Sequence, residues 1–532
     1  MQNWSTAYPR LGKEYMVAAE HPLAVQGGLA VLEAGGNAID AAVAIAAISW
    51  VVMPDMCGLG GDIFMIGRQK DGSIWSINGS GVAPQGAEVD YFLNQGYNQM
   101  PLDGILSVAV PGALHGLLTA HQRFGSLPLT FLFRDAIEHA RTGFPVTPRL
   151  YHSILAQREK LAKYDLARAL FYPHKRPRHI GELIIQEDLA RALEVIASDG
   201  LAAFYQGEIA ADFLAASQAM GGLFTGEEMP RHTSEFTPPL HLSYRGFDIY
   251  QTKPPSQGII MLEALGILEG FPLGEYGFNQ GESIHLMVES LKLAFADRIR
   301  WAGDPRCVDF DYEQFLDPDY LEAQRNRIQL DQAQTSYIEP MGGDTTSFVV
   351  VDGHGHSLSC IHSLSHPFGS GVIIPNWGIL LNNRAGRGFN LLSDHPNCIA
   401  PGKRTMHTLN TYLITKDDAL WAVGNTPGGD SQPQWNLQVI CNLIDFSFNP
   451  QQAVAAPRWQ QFPGTDPHNW TAPATLYLEN TIPTETGEDL KRRGHNIAWR
   501  PPGGGAVQLI QRLDNLLLGA SDPRSEGLAL GR

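Results

Sequence analysis

Two patterns of hydrophobic positions alternate along the first 344 residues of this chain. Apolar side chains recur at the spacing of one helix face in segments that we predict to be helices: residues 24–32, 189–196, 261–268 and 285–296. Short segments in which apolar residues alternate or cluster predict strands, among them 73–77 and 247–250. The most apolar stretch, residues 41–53, is too short for a bilayer span of about 20 residues, so it predicts a buried core helix.

Strands predominate after residue 345. Residues 346–351 and 357–363 flank a glycine-containing turn and predict a β-hairpin. Further strands are predicted at residues 409–414, 419–423 and 507–512. A strand-rich part that follows a helix-and-strand part is typical of two stacked sheets covered by helices, an α+β architecture. The charged, proline-containing segment 160–178 predicts an excursion over the surface.

Composition and charge narrow the classes of partner. The chain has 532 residues, of which 44% are hydrophobic and 17% charged, as in a globular protein with a large core. Its formal net charge of −17 opposes binding to nucleic acid or to an anionic membrane surface, so we expect a small-molecule substrate. An anionic substrate would need a local positive pocket.

The cysteines and the first residues indicate a compartment. Five cysteines show neither a paired nor a CxxC pattern, which predicts buried free thiols in a reducing environment. The first fifteen residues are polar and contain no apolar run followed by a small-residue cleavage site. We therefore expect a cytoplasmic protein.

The junction between the two parts carries unusual chemistry in the sequence MGGDTTSFVVVD at positions 341–352. A cut between Asp344 and Thr345 would leave Thr345 with both a hydroxyl and a free α-amine. A threonine hydroxyl needs a nearby base, and a terminal amine with a pKa of about 7.7–8.0 is partly neutral at pH 7. Taken alone, Gly-Gly-Asp-Thr is more typical of a turn entering a strand, so the remaining motifs must decide.

Those motifs occur in a fixed order along the chain. They are GGNAIDAA at 35–42, GLGGDIF at 58–64, VPG at 110–112, PPS at 254–256, HLMVES at 285–290, FADR at 295–298, LLNN at 380–383, PGG at 427–429, GAVQ at 505–508 and SDPR at 521–524. With them the chain resembles the γ-glutamyltransferase family of N-terminal-nucleophile hydrolases, from about residue 16 to the C-terminus.

The resemblance implies a fold and a way of maturing. The fold is a four-layer αββα sandwich made from two fragments of one self-cleaved precursor. The large fragment would be residues 1–344 and the small fragment residues 345–532, intertwined in one globule. The resemblance allows a dimer of such two-fragment units, and it implies no cofactor and no metal.

The resemblance also assigns catalytic roles. Thr345 would attack the Asp344 carbonyl during self-cleavage and the substrate amide during turnover, while its α-amine moves the proton. Ser363 falls where the family has a hydroxyl bonded to the nucleophile; a strand serine satisfied by backbone is the alternative. Gly428 and Gly429 fall on the oxyanion-hole glycines, because residues without Cβ let backbone N–H groups approach a tetrahedral intermediate. A plain Pro-Gly turn is the alternative there.

The substrate pocket departs from the family pattern. For the α-carboxylate of a γ-glutamyl group, the family's arginine position falls on Ser80, and its serine pair falls on His407 and Thr408. For the α-ammonium, the family's positions fall on Ser365, on Arg384 and near Arg387, where the family has an acid and this chain has none. An ammonium would be repelled there, whereas an arginine can bind a carboxylate bidentately. Surface solvation or salt bridging is the alternative role of these arginines.

The resemblance therefore implies a substrate that is an amide with a carboxylate and no α-amino group. Oxamate is the smallest such molecule, and its hydrolysis to oxalate and ammonia would belong to purine catabolism. A cytoplasmic γ-glutamyl hydrolase or transferase, or an enzyme like a cephalosporin acylase, is a second hypothesis. An unprocessed scaffold without catalysis is a third.

Two other signals carry less weight. Four histidines, at positions 354, 356, 362 and 366, cluster in sequence, but no acidic or cysteine ligand at the usual spacing joins them, so we expect no metal. The GxSxG elbow of serine hydrolases is absent, since Gly429-Asp430-Ser431-Gln432-Pro433 ends in proline.

Overall fold

The computed structural model describes residues 8–334, 345–469 and 472–532. In chain order its strands are β1 (Arg10–Gly12), β2 (Met16–Ala19), β3 (Asp62–Arg68), β4 (Ile74–Gly79), β5 (Phe144–Pro145), β6 (Leu183–Ile184), β7 (Glu235–Thr237), β8 (Leu240–Tyr244), β9 (Phe247–Gln251), β10 (Thr346–Val351), β11 (Ser357–Ser363), β12 (Ile373–Ile374), β13 (Ile379–Leu380), β14 (Tyr412–Lys416), β15 (Ala419–Asn425), β16 (Trp459–Phe462), β17 (Thr475–Glu479), β18 (Ile497–Arg500), β19 (Gln508–Leu513), β20 (Leu516–Ser521) and β21 (Leu528–Gly531).

The α-helices are α1 (Pro22–Glu33), α2 (Ala38–Val52), α3 (Val89–Asn94), α4 (Ala113–Phe124), α5 (Leu129–Leu132), α6 (Arg134–Thr142), α7 (Pro148–Ala156), α8 (Arg158–Lys163), α9 (Asp165–Phe171), α10 (Glu187–Asp199), α11 (Leu201–Tyr205), α12 (Glu208–Ala219), α13 (Gly258–Leu268), α14 (Leu273–Tyr276), α15 (Gly281–Trp301), α16 (Pro318–Arg325), α17 (Arg384–Gly388), α18 (Gln432–Ile444), α19 (Pro450–Ala455) and α20 (Thr484–Arg492). Short 3₁₀ turns lie at Ile105–Ser107, Pro173–Lys175, Tyr312–Leu316, Gly429–Ser431 and Pro467–Asn469.

Two seven-stranded antiparallel sheets form the centre of the molecule. Sheet I has the strand order β21-β2-β10-β11-β3-β4-β7, and sheet II has the order β1-β20-β19-β15-β14-β9-β8. Smaller sheets, of β16-β17-β18 and of the pairs β12-β13 and β5-β6, lie outside these two.

Apolar contacts show how the layers stack. Met16, Val349, Leu413, Val423 and Ile510, which come from both large sheets, pack in one buried cluster. A second cluster packs α1, α2 and α4 against sheet I, and a third packs α13, α15 and α18 against sheet II. The order is therefore helices, sheet I, sheet II, helices, which confirms the predicted α+β fold with four αββα layers.

The buried position of α2 follows from its sequence. Every residue from Ala38 to Val52 is buried, as expected for a helix that is apolar on all sides. Asn37 begins it with a capping box, because its side chain accepts from the N–H of Asp40 while the Asp40 carboxylate accepts from the N–H of Asn37. None of the described helices is both long enough and apolar enough to cross a membrane.

Predicted and observed elements agree closely. The hairpin strands 346–351 and 357–363 have the predicted bounds. The helices predicted at 24–32, 189–196, 261–268 and 285–296 are longer by three to nine residues, and the helix at 285–296 shows the largest difference.

Two predictions about single residues and segments were wrong. Cys307 is exposed, although the other four cysteines are buried free thiols as predicted. The segment 160–178 is not a simple surface excursion, because it contains α9 and because Lys160 is buried.

Candidate active site

The register of sheet I places Thr345 opposite Ser363. Thr346 of β10 pairs with His362 of β11, and the two strands are antiparallel. Thr345, just before Thr346, and Ser363, just after His362, therefore face each other at the end of the sheet. Both side chains are fully buried. The Thr345 hydroxyl donates to Ser363 Oγ at 3.1 Å, as the resemblance implied.

Two further contacts hold this pair. Ser363 Oγ also accepts the backbone N–H of Ser365 at 2.8 Å, so the serine hydroxyl is fixed by its own chain. Gln432, the first residue of α18, donates from Nε2 to Thr345 Oγ1 at 3.4 Å, and its Oε1 accepts the N–H of Asn410. The sequence analysis missed Gln432, although it stands three residues after the glycine pair. Asp344 lies outside the described residues.

The glycine pair forms a loop beside Gln432. Gly428 has φ 128° and Gly429 has φ 57°, conformations that favour glycine. Neither backbone N–H donates to another of the described residues. Two backbone donors without partners among the described residues, three residues before the Gln432 that contacts Thr345, fit the oxyanion hole that the resemblance implied.

Arg387 joins Thr408 to the residues that follow β11. Its Nη1 donates to Thr408 Oγ1 at 3.1 Å and to the Ser365 carbonyl at 3.4 Å. Gln257, which the sequence analysis also missed, donates from one Nε2 to the carbonyls of Thr408 and Gly429. The structure thus brings Ser365, Arg387 and Thr408 together beside the catalytic candidates.

Arg384 lies on the other side of Ser363, against β3. Asp62 pairs with Ser363 across β11 and β3, and its Oδ2 accepts from Arg384 Nε at 3.0 Å. Ser80 lies one strand farther, beyond the pair of Ile63 with Gly79. The Ser80 hydroxyl donates to Asn78 Oδ1 at 2.6 Å, and the N–H of the next residue, Gly81, donates to Asp62 Oδ1 at 3.1 Å. Ser80 therefore precedes a residue that contacts the Asp62–Arg384 pair, and its role in substrate binding stays a prediction.

His407 is buried beside these arginines. Its ring packs edge-on against Phe64, with ring centroids 5.0 Å apart, and both ring nitrogens lack a hydrogen-bond partner among the described residues. Burial, with smaller contributions from Arg384 and other arginines, holds the pKa of His407 well below its usual range. The ring is therefore neutral and can donate one N–H without adding charge.

The structure corrects the prediction that no acid lies in this pocket. Asp466 accepts from Arg387 Nε at 3.1 Å, as Asp62 does from Arg384. Although burial raises it, the hydrogen bond to His468 and the charge of Arg387 lower the pKa of Asp466 to about 2. Residue 466 is 79 positions from Arg387, so spacing could not have revealed this pair.

A third acid and a third arginine complete the buried cluster. Burial raises the pKa of Asp430, although Arg387 and Arg298 oppose the rise. Burial lowers the pKa of Arg298 to about 10, so the guanidinium keeps its charge at neutral pH. The cluster thus has equal numbers of arginines and aspartates, and its affinity for an anion depends on individual donors rather than on excess charge.

Those donors are present. Nη2 of Arg384 and Nη2 of Arg387 are buried, and neither has a hydrogen-bond partner among the described residues. The Ser365 hydroxyl is in the same state, and Ser365 itself has φ 88°. A buried donor without a partner costs about 1–3 kcal/mol, which a bound carboxylate would recover.

The described residues contain one group whose atoms could converge on a metal ion: His285, Glu289 and His495, all within 4.8 Å. Hydrogen bonds account for this arrangement. His285 Nδ1 lies 2.8 Å from His495 Nε2, and Lys292 donates to Glu289 Oε1 at 2.7 Å. The ammonium beside the carboxylate opposes a cation.

An αββα sandwich with a threonine hydroxyl at the end of a central strand, bonded to a serine hydroxyl, is the arrangement of an N-terminal-nucleophile hydrolase. The gamma-glutamyltranspeptidase family profile matches residues 24–531. The chain belongs to this family of self-processing enzymes, which act on amides.

Individual relatives cover the whole chain. The oxamate amidohydrolase proenzyme of Klebsiella pneumoniae subsp. pneumoniae is 34% identical over 532 residues, covering 97% of this chain and 98% of that one. The glutathione hydrolase-like YwrD proenzyme of Bacillus subtilis is 33% identical over 534 residues, covering 98% and 99%. The crystal structure of a cephalosporin acylase from Bacillus halodurans matches with a TM-score of 0.92 at 34% identity, covering 99% and 97%.

Proposed function

We propose that this protein cuts itself between Asp344 and Thr345 and then hydrolyses a small amide that carries a carboxylate, with oxamate as the substrate. The fragments would be residues 1–344 and 345–532. The names of relatives as proenzymes, including an oxamate amidohydrolase proenzyme, support this proposal.

The observation that carries the substrate class is the pair of buried Nη2 atoms of Arg384 and Arg387, which have no hydrogen-bond partner in the described part of the chain. A carboxylate can accept from a guanidinium in a planar, bidentate geometry. Arg387 is the better candidate, because it contacts Ser365 and Thr408, and Thr408 is tied through Gln257 to Gly429. His407 can add a neutral N–H donor.

The proposed reaction uses groups at one end of sheet I. Thr345 Oγ1 attacks the amide carbon, and the α-amine that self-cleavage would release takes the proton. The N–H groups of Gly428 and Gly429 stabilise the oxyanion, while Ser363 and Gln432 hold the nucleophile's oxygen. The C–N bond breaks, ammonia leaves with the proton, and water then hydrolyses the ester to release oxalate.

A comparison of acyl groups tests the substrate. We expect purified protein to release ammonia from oxamate and to cleave γ-glutamyl 4-nitroanilide and glutaryl 4-nitroanilide poorly. Arg387→Lys should raise KM for oxamate about tenfold or more, because a lysine cannot replace a bidentate guanidinium. Arg231→Lys, at an exposed arginine, is the matched control. Rapid γ-glutamyl cleavage without ammonia release from oxamate would refute the proposal.

One observation favours a γ-glutamyl substrate as the second candidate. Asp430 Oδ2 is buried and has no hydrogen-bond partner among the described residues, so it could accept from an α-ammonium. The positive charge of such a group would lower the pKa of the Asp430 carboxyl, which burial raises. If Asp430→Asn abolished γ-glutamyl cleavage but left oxamate hydrolysis intact, the same pocket would serve both substrates.

A further inference from the structure

The imidazole ring of His468 has a hydrogen-bond acceptor at each of its two nitrogens. Nδ1 lies 3.1 Å from Oδ1 of Asp466, and Nε2 lies 2.8 Å from the backbone carbonyl oxygen of Met100. A carbonyl oxygen can only accept a hydrogen bond, and so can an ionised carboxylate. The ring therefore satisfies both contacts only when both nitrogens carry a proton, that is, as an imidazolium ion.

The carboxylate of Asp466 is the ionised partner in this arrangement. Its Oδ2 accepts from Arg387 Nε at 3.1 Å, and its Oδ1 accepts the backbone N–H of His468 at 3.1 Å as well as the ring. Although burial raises it, the hydrogen bond to the ring and the neighbouring positive charges bring the pKa of Asp466 to about 2. A carboxyl group with this pKa has no proton to donate at neutral pH, so Nδ1 of His468 is the donor.

The surroundings of His468 favour its charged form. Burial opposes the charge, but the hydrogen bonds to Asp466 and to the Met100 carbonyl outweigh burial and raise the pKa of His468 above its usual value of about 6.5. The side chain is 11% exposed, so the ring can exchange protons with solvent. His468 therefore keeps its positive charge to a higher pH than an ordinary histidine does.

No other histidine that faces Asp466 in the described part of the chain supplies such a charge. The titratable groups around this carboxylate, besides His468, are His366 after β11, Arg384 and Arg387 of α17, Arg298 of α15 and Asp430. Burial holds the pKa of His366 well below its usual range, so that ring is neutral. The arginines and aspartates of the buried cluster are equal in number. A charged His468 thus gives the cluster one additional positive charge.

His468 also supports the helix that carries Arg387. The residue after Met100 places its carbonyl so close to Gly386 of α17 that no room is left for a Cβ atom there. Helix α17 therefore packs directly on the backbone of the segment to which His468 donates. If the ring lost one proton, either this segment or Asp466 would lose its hydrogen bond from the ring.

We propose that the His468 imidazolium is a positioning residue for the anion site, because it holds Asp466 and offsets its charge while Arg387 keeps Nη2 for the substrate carboxylate. This inference rests on the proposed role of Arg387 in binding a carboxylate. It makes substrate affinity depend on pH. When the ring loses its proton, the cluster loses its additional charge, and Asp466 competes more strongly with the substrate for the guanidinium of Arg387.

Binding of oxalate, measured by titration calorimetry at pH 6 and pH 9, tests this role without requiring turnover. Oxalate is a dianion at both pH values. We expect His468→Gln to bind oxalate about fivefold or more weakly than the unmodified protein at pH 6, and within about twofold of it at pH 9. Comparing the two proteins at each pH cancels the titration of groups that both contain.

Two further variants separate the charge of His468 from its shape. His468→Lys keeps a positive charge at pH 9, so it should bind oxalate more tightly than the unmodified protein at that pH. His241→Gln is the matched control, because His241 forms an ion pair of 2.9 Å with Asp248 at an exposed position. The control should bind oxalate as the unmodified protein does at both pH values.

The charge on the ring can be measured directly. In protein labelled with ¹³C at the histidine Cε1 position, the NMR signal that is missing from His468→Gln belongs to His468. We expect this signal to titrate with a midpoint above the usual histidine pKa of about 6.5. A midpoint at or below that value would overturn the assignment of an imidazolium.

The outcomes distinguish this role from the proposed function. If oxamate is hydrolysed but the affinity for oxalate has the same pH dependence in His468→Gln as in the unmodified protein, the role of His468 is overturned and the proposed function stands. If oxamate is inert but oxalate binding weakens with pH only when His468 is present, the role stands and the proposed reaction fails. Absence of oxalate binding at both pH values overturns both.

Discussion

The hydroxyl groups of Thr345 and Ser363 meet because two neighbouring strands end in register. Both residues are buried, and the same register brings Asp62 of β3 next to Ser363. At the scale of the residue, the proposed chemistry thus depends on strand pairing rather than on loops, which fixes the oxygen atoms more precisely than mobile segments would.

Replacing Thr345 with alanine tests the nucleophile. We expect Thr345→Ala to remain a single chain of 58.3 kDa and to show no amide hydrolysis, because both steps need the hydroxyl. Denaturing gels and mass spectrometry measure the first effect and ammonia release the second. Thr345→Ser, which keeps a hydroxyl, should still be cut. Full activity in the alanine variant would exclude this residue as the nucleophile.

Removing the Ser363 hydroxyl should slow the reaction without unfolding the protein. We expect loss of its hydrogen bond to Thr345 to raise the activation free energy by about 1–2 kcal/mol. The kcat of Ser363→Ala should then fall about 5- to 30-fold. Ser357→Ala is a matched control on the same strand, because the Ser357 hydroxyl is buried and bonds to none of the residues that the structure describes. Similar rates in both variants would show that Ser363 does not position the nucleophile.

Site residues that lie within a sequence motif were predicted. Site residues that reach the site only through the fold, from distant positions in the chain, were missed. Thr345, Ser363, Gly428 and Gly429 follow from the motifs; the structure joins the first two by a hydrogen bond, and the roles of the glycines stay predictions. Asp466 and Gln257 contact this site from distant positions in the chain, and no local pattern indicates such pairs. The role assigned to Ser80 depended on alignment alone and stays a prediction; its neighbour Gly81 contacts Asp62, the partner of Arg384.

At the scale of elements, the glycine loop between β15 and α18 has the most demanding geometry. Gly428 combines φ 128° with contact to the Trp435 ring, while Gln432 at the start of α18 reaches Thr345. The loop therefore couples the oxyanion donors to the position of α18. Its PGG sequence predicted the turn, but the packing on Trp435 depends on where α18 lies in the sandwich.

Gly428→Ala should reduce activity far more than an alanine at another glycine with positive φ would. A Cβ would lie 2.2 Å from Trp435, so the loop must shift and its N–H groups would leave the oxyanion; we expect kcat to fall about 100-fold. Gly35→Ala is the control, because Gly35 has φ 88° with no atom within 4 Å of a Cβ. The control should lose about 1 kcal/mol of stability and no activity. Equal activity in the two variants would contradict the proposed role of the loop.

Elements were easier to predict than their connections. The hairpin of β10 and β11 has local pairing and alternating or β-branched residues, so its bounds followed from the sequence. Helix α17, which carries Arg384 and Arg387, has only five residues and no apolar face. Its position depends on Asn382 and Asn383, whose side chains bond to distant backbone, and periodicity does not show such contacts.

At the scale of the whole molecule, buried ionisable groups make stability depend on pH. Glu20 lies opposite Ser347 and accepts its N–H at 2.8 Å. Burial raises the pKa of Glu20 to about 8, although Arg149 and the Ser347 N–H oppose the rise. Since the folded pKa exceeds the unfolded value of about 4.3, the contribution of Glu20 to stability is complete below pH 4 and is lost as the pH rises to 8.

Glu20→Gln should remove this part of the pH dependence. We expect the variant to gain stability relative to the unmodified protein between pH 5 and pH 8, by an amount on the order of a few kcal/mol. Thermal unfolding at several pH values measures the difference. Glu322→Gln, at an exposed glutamate, should leave the profile unchanged. A constant difference between Glu20→Gln and the unmodified protein at all pH values would contradict the assignment.

The strand order of the two sheets has a consequence for whether the cleaved protein can refold after it unfolds. In sheet I, β2 lies between β21 and β10, and in sheet II β1 and β9 flank a block of strands from after residue 345. A cut before Thr345 leaves two fragments whose strands are hydrogen-bonded to each other within both sheets, so the fragments can dissociate only if both sheets open. Once separated, the pieces would have to find each other by diffusion, and recovery would then depend on concentration. The uncut chain folds as one molecule. After the proposed cut, a protein that unfolds and separates would refold less readily than the uncut chain.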